Sequence, residues 1–536
     1  MAITCAWLGD ATETTATYVV RSDANGSLTM VVEGTTFTGT TIDTTVNDGI
    51  GTVTATGLSA GQSYGCSLAV AGASTIFRTI KTMPTKRPFS VAFTSCLDKT
   101  FSLASLSQSL INLNVVAAFQ QGDYVYVGNA YANGYGETSA AVATSSVLAD
   151  YYVHHRQSHR NGGNALIENF CPWYYQADDH ECGGDNWDHS IVQAQVTPNV
   201  AAGSTQTQVD AAWWLSNQAV RAYQAGNPAN NDTGIAASTD KPANALVGTA
   251  ASQYPPRYFR KTIGNTEFFV IDCISYRNPV TDVDSATCSY STNQMNCTIA
   301  PTDGKFAVGQ TVVAAGVAGG TTITGLGTGT GGLGTYTLSS SPGTIAAEAT
   351  KAFTSTTATT KTMLGATQLA WLKSYLVASV ATFKIIVSDK SVYPQNAQDG
   401  YEQFQTERAS LLAYIRDNVP SKGVMWICGD NHNPHASFSQ SLEFSSVCCS
   451  PCGQVRTVCQ NSYATNVVWK ESGQTGTGNN ITFPTMPIAG ILTIYDTYME
   501  KRIIDSLGKT LIDPQGNLAH WRMMAGSNLL VQPSNP

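Results

Sequence analysis

The sequence predicts an α/β protein with a small antiparallel β-sandwich at its N-terminus and a β-rich insertion within the α/β part. Three observations predict this fold class. Residues 1–82 contain short alternating strands separated by Gly and Asn-Gly turns, which is typical of a β-sandwich. From Phe89 onward, short apolar runs alternate with segments of helical periodicity, which is typical of α/β domains. Residues 283–360 are rich in Gly and Thr and carry little charge, which favours a compact β unit over a flexible linker.

The individual elements follow from the same patterns. Four strands of the N-terminal unit are predicted at residues 15–20, 28–32, 51–55 and 64–70. A linker is predicted at 81–88, because its two prolines interrupt any regular element. Six buried strands of the α/β part are predicted at residues 89–94, 115–119, 173–176, 267–271, 383–387 and 424–428. Apolar stripes predict two helices, which contain Leu364, Leu369, Leu372 and Leu376, and Phe404, Leu411, Leu412, Ile415 and Val419.

The length of 536 residues is too great for one ordinary hydrophobic core. The strand at Glu267 and the helix at Leu364 belong to one domain, so the insertion interrupts that domain. We therefore predict a β-sandwich over 1–82, a first part of the α/β domain over 83–282, the insertion over 283–360, and a second part of the α/β domain with a C-terminal extension over 361–536.

Charge and hydropathy exclude two classes of partner. The net charge is −8 and no block of Lys or Arg occurs, so the basic footprint of a nucleic-acid binder is missing. No apolar run approaches the length of a membrane span. The first residues lack the basic and apolar regions of a signal peptide. We therefore expect a soluble chain without a secretion signal, nucleic-acid partner or membrane span.

The thirteen cysteines leave two questions open. An odd number cannot pair completely into disulfides. Cys5 and Cys66 are candidates to face each other across the N-terminal sandwich. Four further cysteines are clustered in sequence and are interpreted as disulfides or free thiols, with a metal site as the alternative: Cys448, Cys449, Cys452 and Cys459.

Four predicted strands end in side chains that can bind a metal. These side chains are Cys96 after the first strand, Asp123 and Tyr126 after the second, Asp178, Asp179, His180 and Glu181 after the third, and Asp430 and His432 after the last. The carboxyl ends of strands are where open α/β sheets place their sites. Each motif alone has an ordinary structural interpretation, such as an Asx turn, a buried thiol or a solvated acidic loop. Their joint occurrence at strand ends predicts one shared site.

A metal explains this set of donors better than a proton relay. Thiolate, phenolate, imidazole and carboxylates suit a transition ion beside a harder, oxygen-bound ion. Two ions about 3.5–4 Å apart can clamp both ends of an in-line phosphoryl displacement. An alternative, a thiol protease pair of Cys96 and His180, needs a contact that sequence cannot show. It also leaves Tyr126 and the Asp-x-His motif unexplained.

Several motifs in this order resemble the PhoD-like alkaline phosphatases, a branch of the metallophosphoesterases. The likeness covers residues 1 to about 280 and 361 to about 515. The motifs that carry it are "FTSC", "QGDYVYVG", "ADDHECGGDNW", "VIDCISYR", "LGATQLAWLKSYL", "DGYEQFQTERASLL" and "CGDNHNPHA". The opening segments "AWLGDATETTATYVVRS" and "GLSAGQSYGCSLAV" resemble the family's fibronectin-like N-terminal domain. The resemblance implies a metallophosphoesterase-like two-sheet sandwich flanked by helices.

The resemblance also implies a dinuclear metal site. One ion, ferric iron in the family, would be surrounded by Cys96, Asp123, Tyr126, Asp430 and His432. Asp123 and Asp179 would reach toward a second position, which family members fill with calcium. Manganese or zinc fits the same donors nearly as well.

The family further implies residues that act on the substrate. His180 corresponds to a histidine that protonates the leaving group or stabilises developing phosphoryl charge. Asn186 corresponds to a residue that contacts a phosphate oxygen, and Arg277 to one of two substrate-orienting arginines. The other arginine is replaced by Ile274, which suggests a diester or a bulky phosphate as substrate.

The segment "GVAGGTTITGLGTGTGGLGTYTLS" within the insertion resembles a small β module of bacteriophage tail proteins. Together with the missing signal peptide, this predicts a virion enzyme in a phage tail, with other tail proteins as partners. Its phosphate-ester substrate would be a host-envelope phosphate such as teichoic acid or lipopolysaccharide. The alternative is a virion structural or receptor-binding protein that keeps the fold with an inactive site.

Overall fold

The protein is described here from a computed structural model. The structure describes residues 3–71, 75–97, 103–132, 138–142, 147–183, 206–224, 226–227, 257–278, 283–301, 306–329, 331–353, 361–393, 400–401, 404–439, 441–450, 467–470, 487–513 and 516–533.

Seven antiparallel strands form the N-terminal unit. They are β1 (Ile3–Ala11), β2 (Thr15–Ser22), β3 (Gly26–Val32), β4 (Thr35–Ile42), β5 (Ile50–Thr56), β6 (Ser63–Val70) and β7 (Ile76–Lys81). They pair as a three-stranded sheet, β1-β2-β5, and a four-stranded sheet, β4-β3-β6-β7. Alternate residues of β3, namely Leu28, Met30 and Val32, are buried, as the period of a strand requires. The four predicted strands are all present, and the likeness to a fibronectin domain stays a prediction.

The first central sheet has six strands in the order β12-β9-β8-β26-β27-β28. Its members are β8 (Phe89–Thr94), β9 (Ala117–Gln121), β12 (Trp173–Gln176), β26 (Ile488–Ile494), β27 (Tyr498–Asp505) and β28 (His520–Met524). Strands β8, β9 and β12 are parallel, so their carboxyl ends share one edge. A separate two-stranded ribbon is formed by β10 (Tyr131–Ala132) and β11 (Thr138–Ser139).

The second central sheet has seven strands in the order β13-β14-β21-β22-β24-β23-β25. Its members are β13 (Phe259–Ile263), β14 (Thr266–Val270), β21 (Phe383–Ser388), β22 (Val424–Cys428), β23 (His435–Ser439), β24 (Phe444–Cys448) and β25 (Val467–Lys470). Strands β14, β21, β22 and β24 are parallel. Strands at the predicted positions in both sheets are therefore present, shifted by at most two residues at either end.

The two central sheets share one hydrophobic core. Phe119 of the first sheet stacks on Phe93 of the same sheet and on Phe268 of the second, with ring centroids 5.5 and 4.8 Å apart. Burial of such large apolar side chains is the main favourable term in folding. The chain is thus a mixed α/β protein, rich in sheet, in which two sheets face each other.

Helices cover the outer faces of the two sheets. The helices are α1 (Ala104–Asn112), α2 (Leu148–Arg160), α3 (Gly162–Glu168), α4 (Gln206–Tyr223), α5 (Gly365–Ala378) and α6 (Gln405–Asn418). Side chains of α1 to α4 pack with Ala118 and Trp173 of the first sheet. Side chains of α5 and α6 pack with Ile386 and Trp426 of the second. The two predicted helical stripes lie on α5 and α6.

The insertion forms a six-stranded sheet in the order β17-β20-β15-β16-β19-β18. Its strands are β15 (Val283–Ser291), β16 (Gln294–Ile299), β17 (Thr311–Val313), β18 (Ile323–Leu326), β19 (Gly334–Leu338) and β20 (Ile345–Phe353). It has its own hydrophobic cluster, which includes Tyr290, Met295 and Tyr336. It lies in sequence between β14 and α5, which belong to the second central sheet and its helical layer. The division of the chain into segments 1–82, 83–282, 283–360 and 361–536 stays a prediction.

The structure contradicts the predicted pairing of Cys5 with Cys66. Successive residues of a strand point to opposite faces. Ala6 packs in the sandwich core together with Cys66, whereas Cys5 packs on the other face, with residues of the helical layer. Both cysteines are free thiols, as are the buried Cys448 and Cys449. Cys452 and Cys459 lie outside the described residues.

Within the described part of the chain, no helix has both the length and the apolar character needed to cross a membrane.

Candidate metal centre

The centre lies where strands of the two central sheets end together. Cys96, Asp123 and Asp179 follow the parallel strands β8, β9 and β12, and Asp430 follows β22 of the other sheet. Hydrogen bonds join the loops: the Leu97 N–H donates to the Asp123 carbonyl at 2.7 Å.

Three further hydrogen bonds connect the two sheets at this edge. The Gln121 side-chain amide at the end of β9 donates to the carbonyls of Ser388 and Ile427, at 3.0 and 2.7 Å. The Asp430 N–H donates to Ser95 Oγ at 3.1 Å. The parallel strands therefore deliver the side chains to one place, and these bonds hold the two sheets in register there.

Four candidate ligands have left-handed backbone conformations. The φ angles are +54° at Cys96, +56° at Asp123, +62° at Asp430 and +51° at His432. Residues other than glycine rarely adopt this region, because it brings Cβ close to the backbone. Such conformations persist only where the surroundings impose them, and they concentrate at functional sites. The backbone is held so that all four side chains face one centre.

The donor atoms form three overlapping groups, each with its atoms within 4.8 Å of one another. The groups are Cys96, Asp123 and His432; Asp123, Asp179 and His180; and Asp123, Asp178, Asp179 and Asp430. Asp123 belongs to all three. Its carboxylate therefore stands at the middle of the centre.

Tyr126 completes this arrangement. Its phenol donates to Asp123 Oδ2 at 3.2 Å. Its ring lies 4.2 Å from the ring of His180, with a tilt of 34°. The structure thus brings together the predicted metal ligands Cys96, Asp123, Tyr126, Asp179, Asp430 and His432, and with them His180.

Burial and neighbouring negative charges raise the pKa of both Asp123 and Cys96. Burial raises the pKa of Asp123 well above its usual range, and the carboxylates of Asp179, Glu181 and Asp430 raise it further. The pKa of the Cys96 thiol is raised by burial and by Asp123 and Asp430, whereas hydrogen bonds from Ser450 and Ser95 act in the opposite direction. Several acids buried together are unfavourable without a positive charge.

The residues fit a metal. Asp123 Oδ1 and Asp178 Oδ2 are buried oxygens without a hydrogen-bond partner among the described residues. Buried polar atoms are almost always paired, so these two oxygens are available to bind a cation. Carboxylates, a thiol and an imidazole are established ligand types for transition ions. His180, Asp430 and His432 are only partly buried, so the centre has a side open to substrate.

Sequence reasoning named Asp178 and Glu181 in the acidic motif but assigned them no role. The Glu181 carboxylate accepts hydrogen bonds from four backbone N–H groups, those of Asp123, Tyr124, Val125 and Asp178. Glu181 therefore ties the two acidic loops together and is not free to bind an ion. The sequence shows that Asp178, Asp179 and Glu181 are acidic neighbours. Only the loop geometry shows that Glu181 binds backbone N–H groups, whereas the two aspartates belong to the groups of metal-binding donor atoms.

Ser450 and Lys390 were missed altogether. The Ser450 hydroxyl donates to Cys96 Sγ at 3.0 Å. Lys390 Nζ contacts carboxylates of the centre. No sequence motif distinguishes Ser450 or Lys390 from the other serines and lysines of the chain. Their contacts with the centre depend on how the two sheets meet.

The three histidines of α2 are His154, His155 and His159, and all three are buried. His159 stacks on Trp7 of the N-terminal unit with ring centroids 4.0 Å apart. Its Nδ1 lies 3.0 Å from Glu168, which also bonds the Tyr124 phenol. The ring of His159 therefore fills part of the contact between α2 and β1.

The described part of the structure includes only some of the residues that were predicted to act on the substrate. Arg277 is buried in the segment after β14. Ile274 packs in a hydrophobic cluster with Cys182 and Trp213. Asn186 lies outside the described residues. The roles of Arg277 and Asn186 therefore stay predictions.

Gly122 has no room for a side chain, and this gives a test of the loop geometry. A Cβ at Gly122 would lie 2.5 Å from Asp178 Cβ, and its φ is +77°. We expect Gly122→Ala to lower the free energy of unfolding by about 1–3 kcal/mol through strain and displacement of Asp178, measured by denaturant titration. Gly57→Ala is the matched control, since φ is +74° there and no atom lies within 4 Å. Equal losses in both variants would contradict the predicted clash.

The fold and the centre together define an α/β protein with a candidate metal-binding site between two sheets. The PhoD-like phosphatase family matches residues 91–449, more than half of the chain, and this range contains every candidate ligand. The chain belongs to the PhoD-like phosphatase family, and it is therefore a phosphatase.

Two solved structures resemble the chain, and the first of them supports the fold. A structure of PhoD is 14% identical to the chain, and the match covers 99% of this chain and 92% of that one with a TM-score of 0.63. The purple acid phosphatase PPD1 from yellow lupin seeds is 10% identical over 97% of this chain and 74% of that one, with a TM-score of 0.45. No curated protein matches the sequence.

Proposed function

We propose that the chain hydrolyses phosphate esters at a dinuclear metal centre in which Asp123 bridges two ions. The observation that carries the proposal is that the Asp123 carboxylate, buried and central, belongs to all three groups of donor atoms. Cys96, Asp123, Tyr126, Asp430 and His432 would hold one ion, and Asp123 and Asp179 would reach the second. The thiolate side suits ferric iron and the carboxylate side suits calcium, with manganese or zinc as substitutes.

The chemistry that such ions supply when bound is activation of a water for in-line attack and neutralisation of phosphate charge. We infer that His180 donates a proton to the departing alkoxide. The ring of Tyr126 supports the imidazole of His180, and the backbone N–H of His180 donates to Asp179 Oδ1 at 3.0 Å. The donor is thereby fixed beside the acidic group, at the open side of the centre.

Arg277 and Asn186 are proposed to bind phosphate oxygens. Ile274, which packs in a hydrophobic cluster, supplies no charge, and this favours a diester or a bulky phosphate over a small monoester. The thiol protease alternative is disfavoured because Cys96 groups with Asp123 and His432, whereas His180 groups with Asp123 and Asp179.

The biological substrate is proposed to be a host-envelope phosphate, such as teichoic acid or lipopolysaccharide, attacked by a phage-tail virion enzyme. Support comes from the sequence of the insertion, which resembles tail-protein modules. Mass spectrometry of purified particles tests this role, and particles that lack the chain would refute it. The inactive virion protein is the less favoured alternative, because every candidate ligand is chemically competent and the ligands converge.

Two substitutions test the proposed roles. Asp179→Asn is expected to abolish hydrolysis of chromogenic phosphate mono- and diesters, because the second ion loses a charged ligand. His180→Ala is expected to lower kcat by about 10²–10⁴-fold, the usual contribution of a general acid. Circular dichroism should show both variants folded, and His520→Ala, on β28, serves as the control. Wild-type rates in both variants would refute the assignment.

Elemental analysis of the purified protein, paired with these assays, tests the class of centre. We expect two different ions in the fully loaded protein and turnover of the diester. Hydrolysis that survives complete removal of metal would contradict the proposal.

A further inference from the structure

Two cysteines of the insertion lie opposite each other in neighbouring antiparallel strands. Cys288 of β15 pairs in register with Cys297 of β16. Both side chains are buried in the hydrophobic cluster of the insertion, with exposures of 0% and 3%, so both point to the same face of the sheet. Both are free thiols in this structure, and each is a hydrogen-bond partner of the other. The two sulfur atoms are therefore direct neighbours.

The turn between the two strands places this pair where a disulfide fits. Strands β15 and β16 are joined by a two-residue turn, whose first residue, Thr292, has a φ of +50°. The pair that closes such a turn, Ser291 and Gln294, is hydrogen-bonded. Hydrogen-bonded and non-hydrogen-bonded pairs alternate along the ladder, and Cys288 and Cys297 stand three pairs further on. They therefore form a non-hydrogen-bonded pair with Cα atoms about 4.5 Å apart, and a disulfide requires about 4.4–6.8 Å.

A cross-link at this position would join the two middle strands of the insertion. In the strand order of its six-stranded sheet, β15 and β16 stand at the centre. The hydrophobic cluster of the insertion is formed by residues 283–352 alone. Units of this size bury little apolar surface, and natural small domains often add disulfides for this reason. A bond between the two middle strands opposes every opening of the sheet that separates them.

We propose that Cys288 and Cys297 are a covalent modification site, at which a low-molecular-weight disulfide oxidises the two thiols to a cross-strand disulfide. The cross-link holds the sheet of the insertion closed in an oxidising compartment, whereas reduction makes the sheet easier to open. The site is separate from the metal centre, and it does not depend on the proposed function.

The reaction is a thiol–disulfide exchange in two steps, which take place when the sheet opens locally. The thiolate of Cys297 attacks one sulfur of the oxidant and expels the first thiol, which leaves a mixed disulfide. The thiolate of Cys288 then attacks Cys297 Sγ and expels the second thiol. The two cysteines lose two protons and two electrons, and the oxidant leaves as two thiols. Burial raises the pKa of Cys288 to about 12; burial also raises the pKa of Cys297, but the hydrogen bond from Cys288 opposes this rise, so Cys297 reacts first.

The test equilibrates the full-length protein with oxidised and reduced glutathione until the pattern of free thiols no longer changes. Free thiols are then alkylated, and the chain is digested with trypsin and studied by mass spectrometry. The tryptic peptide that follows Arg277 and ends at Lys305 contains both cysteines and no other. Cyanogen bromide cuts this peptide after Met295, between the two cysteines, so its fragments stay joined only through a disulfide.

We expect this peptide to lose two hydrogen atoms, to escape alkylation, and to release its two fragments only on reduction. Cys66 is the matched control, because it is also a buried thiol of a β-strand and is alone in its tryptic peptide. It should be alkylated throughout. Alkylation of both Cys288 and Cys297 at the end point, or glutathione retained on either of them, would overturn the proposed site.

Proteolysis measures the effect of the cross-link on the insertion. Lys351 lies in β20, and trypsin cleaves after it when the sheet opens. The oxidised wild type should be cut there at least about tenfold more slowly than the reduced wild type, because the cross-link lowers the entropy of the opened chain. The double variant Cys288→Ser/Cys297→Ser should be cut at one rate under both conditions. Equal rates for the oxidised and reduced wild type, a comparison that needs no variant, would overturn the proposed effect.

Discussion

Asp123→Asn is expected to lower kcat/KM for phosphodiester hydrolysis by at least about 10³-fold, because Asp123 is the central carboxylate of the metal centre. The amide keeps the shape of the side chain but removes its negative charge and one of its two acceptor oxygens. The loss affects all three donor groups at once. Metal content should fall together with activity. Steady-state kinetics and elemental analysis of the same preparation measure both effects.

Asp496→Asn provides the comparison for this substitution. Asp496 is an exposed carboxylate, with a side-chain exposure of 80%, that pairs with Arg87. We expect wild-type kinetics and metal content for this variant. If Asp123→Asn retained both metal and turnover, the idea of a shared carboxylate at the middle of the centre would have to be abandoned.

Glu181→Gln is expected to lower the free energy of unfolding by about 2–5 kcal/mol and to weaken metal binding. The carboxylate accepts four backbone N–H groups from the two acidic loops. An amide has one acceptor oxygen, and its NH₂ group would face N–H donors. Each buried donor left without an acceptor costs about 1–3 kcal/mol. Denaturant titration and calorimetric metal titration measure the two effects.

Glu407→Gln separates stability from metal binding. Glu407 is likewise a buried carboxylate that accepts backbone N–H groups, those of Met363 and Leu364, but it lies in the first turn of α6, outside the metal centre. We expect this variant to be less stable with unchanged metal affinity. The role of Glu181 in positioning the ligands would be disproved if both variants changed stability and affinity alike.

The strands of the two central sheets were largely predictable from the sequence. Short apolar runs such as Phe89–Thr94 and Val424–Cys428 coincide with the observed strands, because strands buried on both faces carry continuous apolar side chains. The order of strands in each sheet was not predictable in this way. The pairing of β8 with β26 joins residues about four hundred positions apart, and no local pattern encodes such a contact.

The candidate ligands were predictable for a related reason. Cys96, Asp123, Asp179 and Asp430 each stand within four residues of the end of a predicted strand, and the carboxyl ends of parallel strands meet at one edge. The left-handed backbone at three of them was not predictable, since cysteine and aspartate have no general preference strong enough to require it. Packing of the loops against the opposite sheet imposes that conformation.

The sequence by itself determined which residues can bind a metal, because residue type and position at a strand end are local properties. Only the tertiary structure decided what each acid does. It assigned Glu181 to backbone N–H groups, left oxygens of Asp123 and Asp178 without hydrogen-bond partners among the described residues, and placed Lys390 against Asp178 and Asp430. The physical reason is that charge interactions act through space at distances of a few ångströms. The residues concerned come from strands of two different sheets.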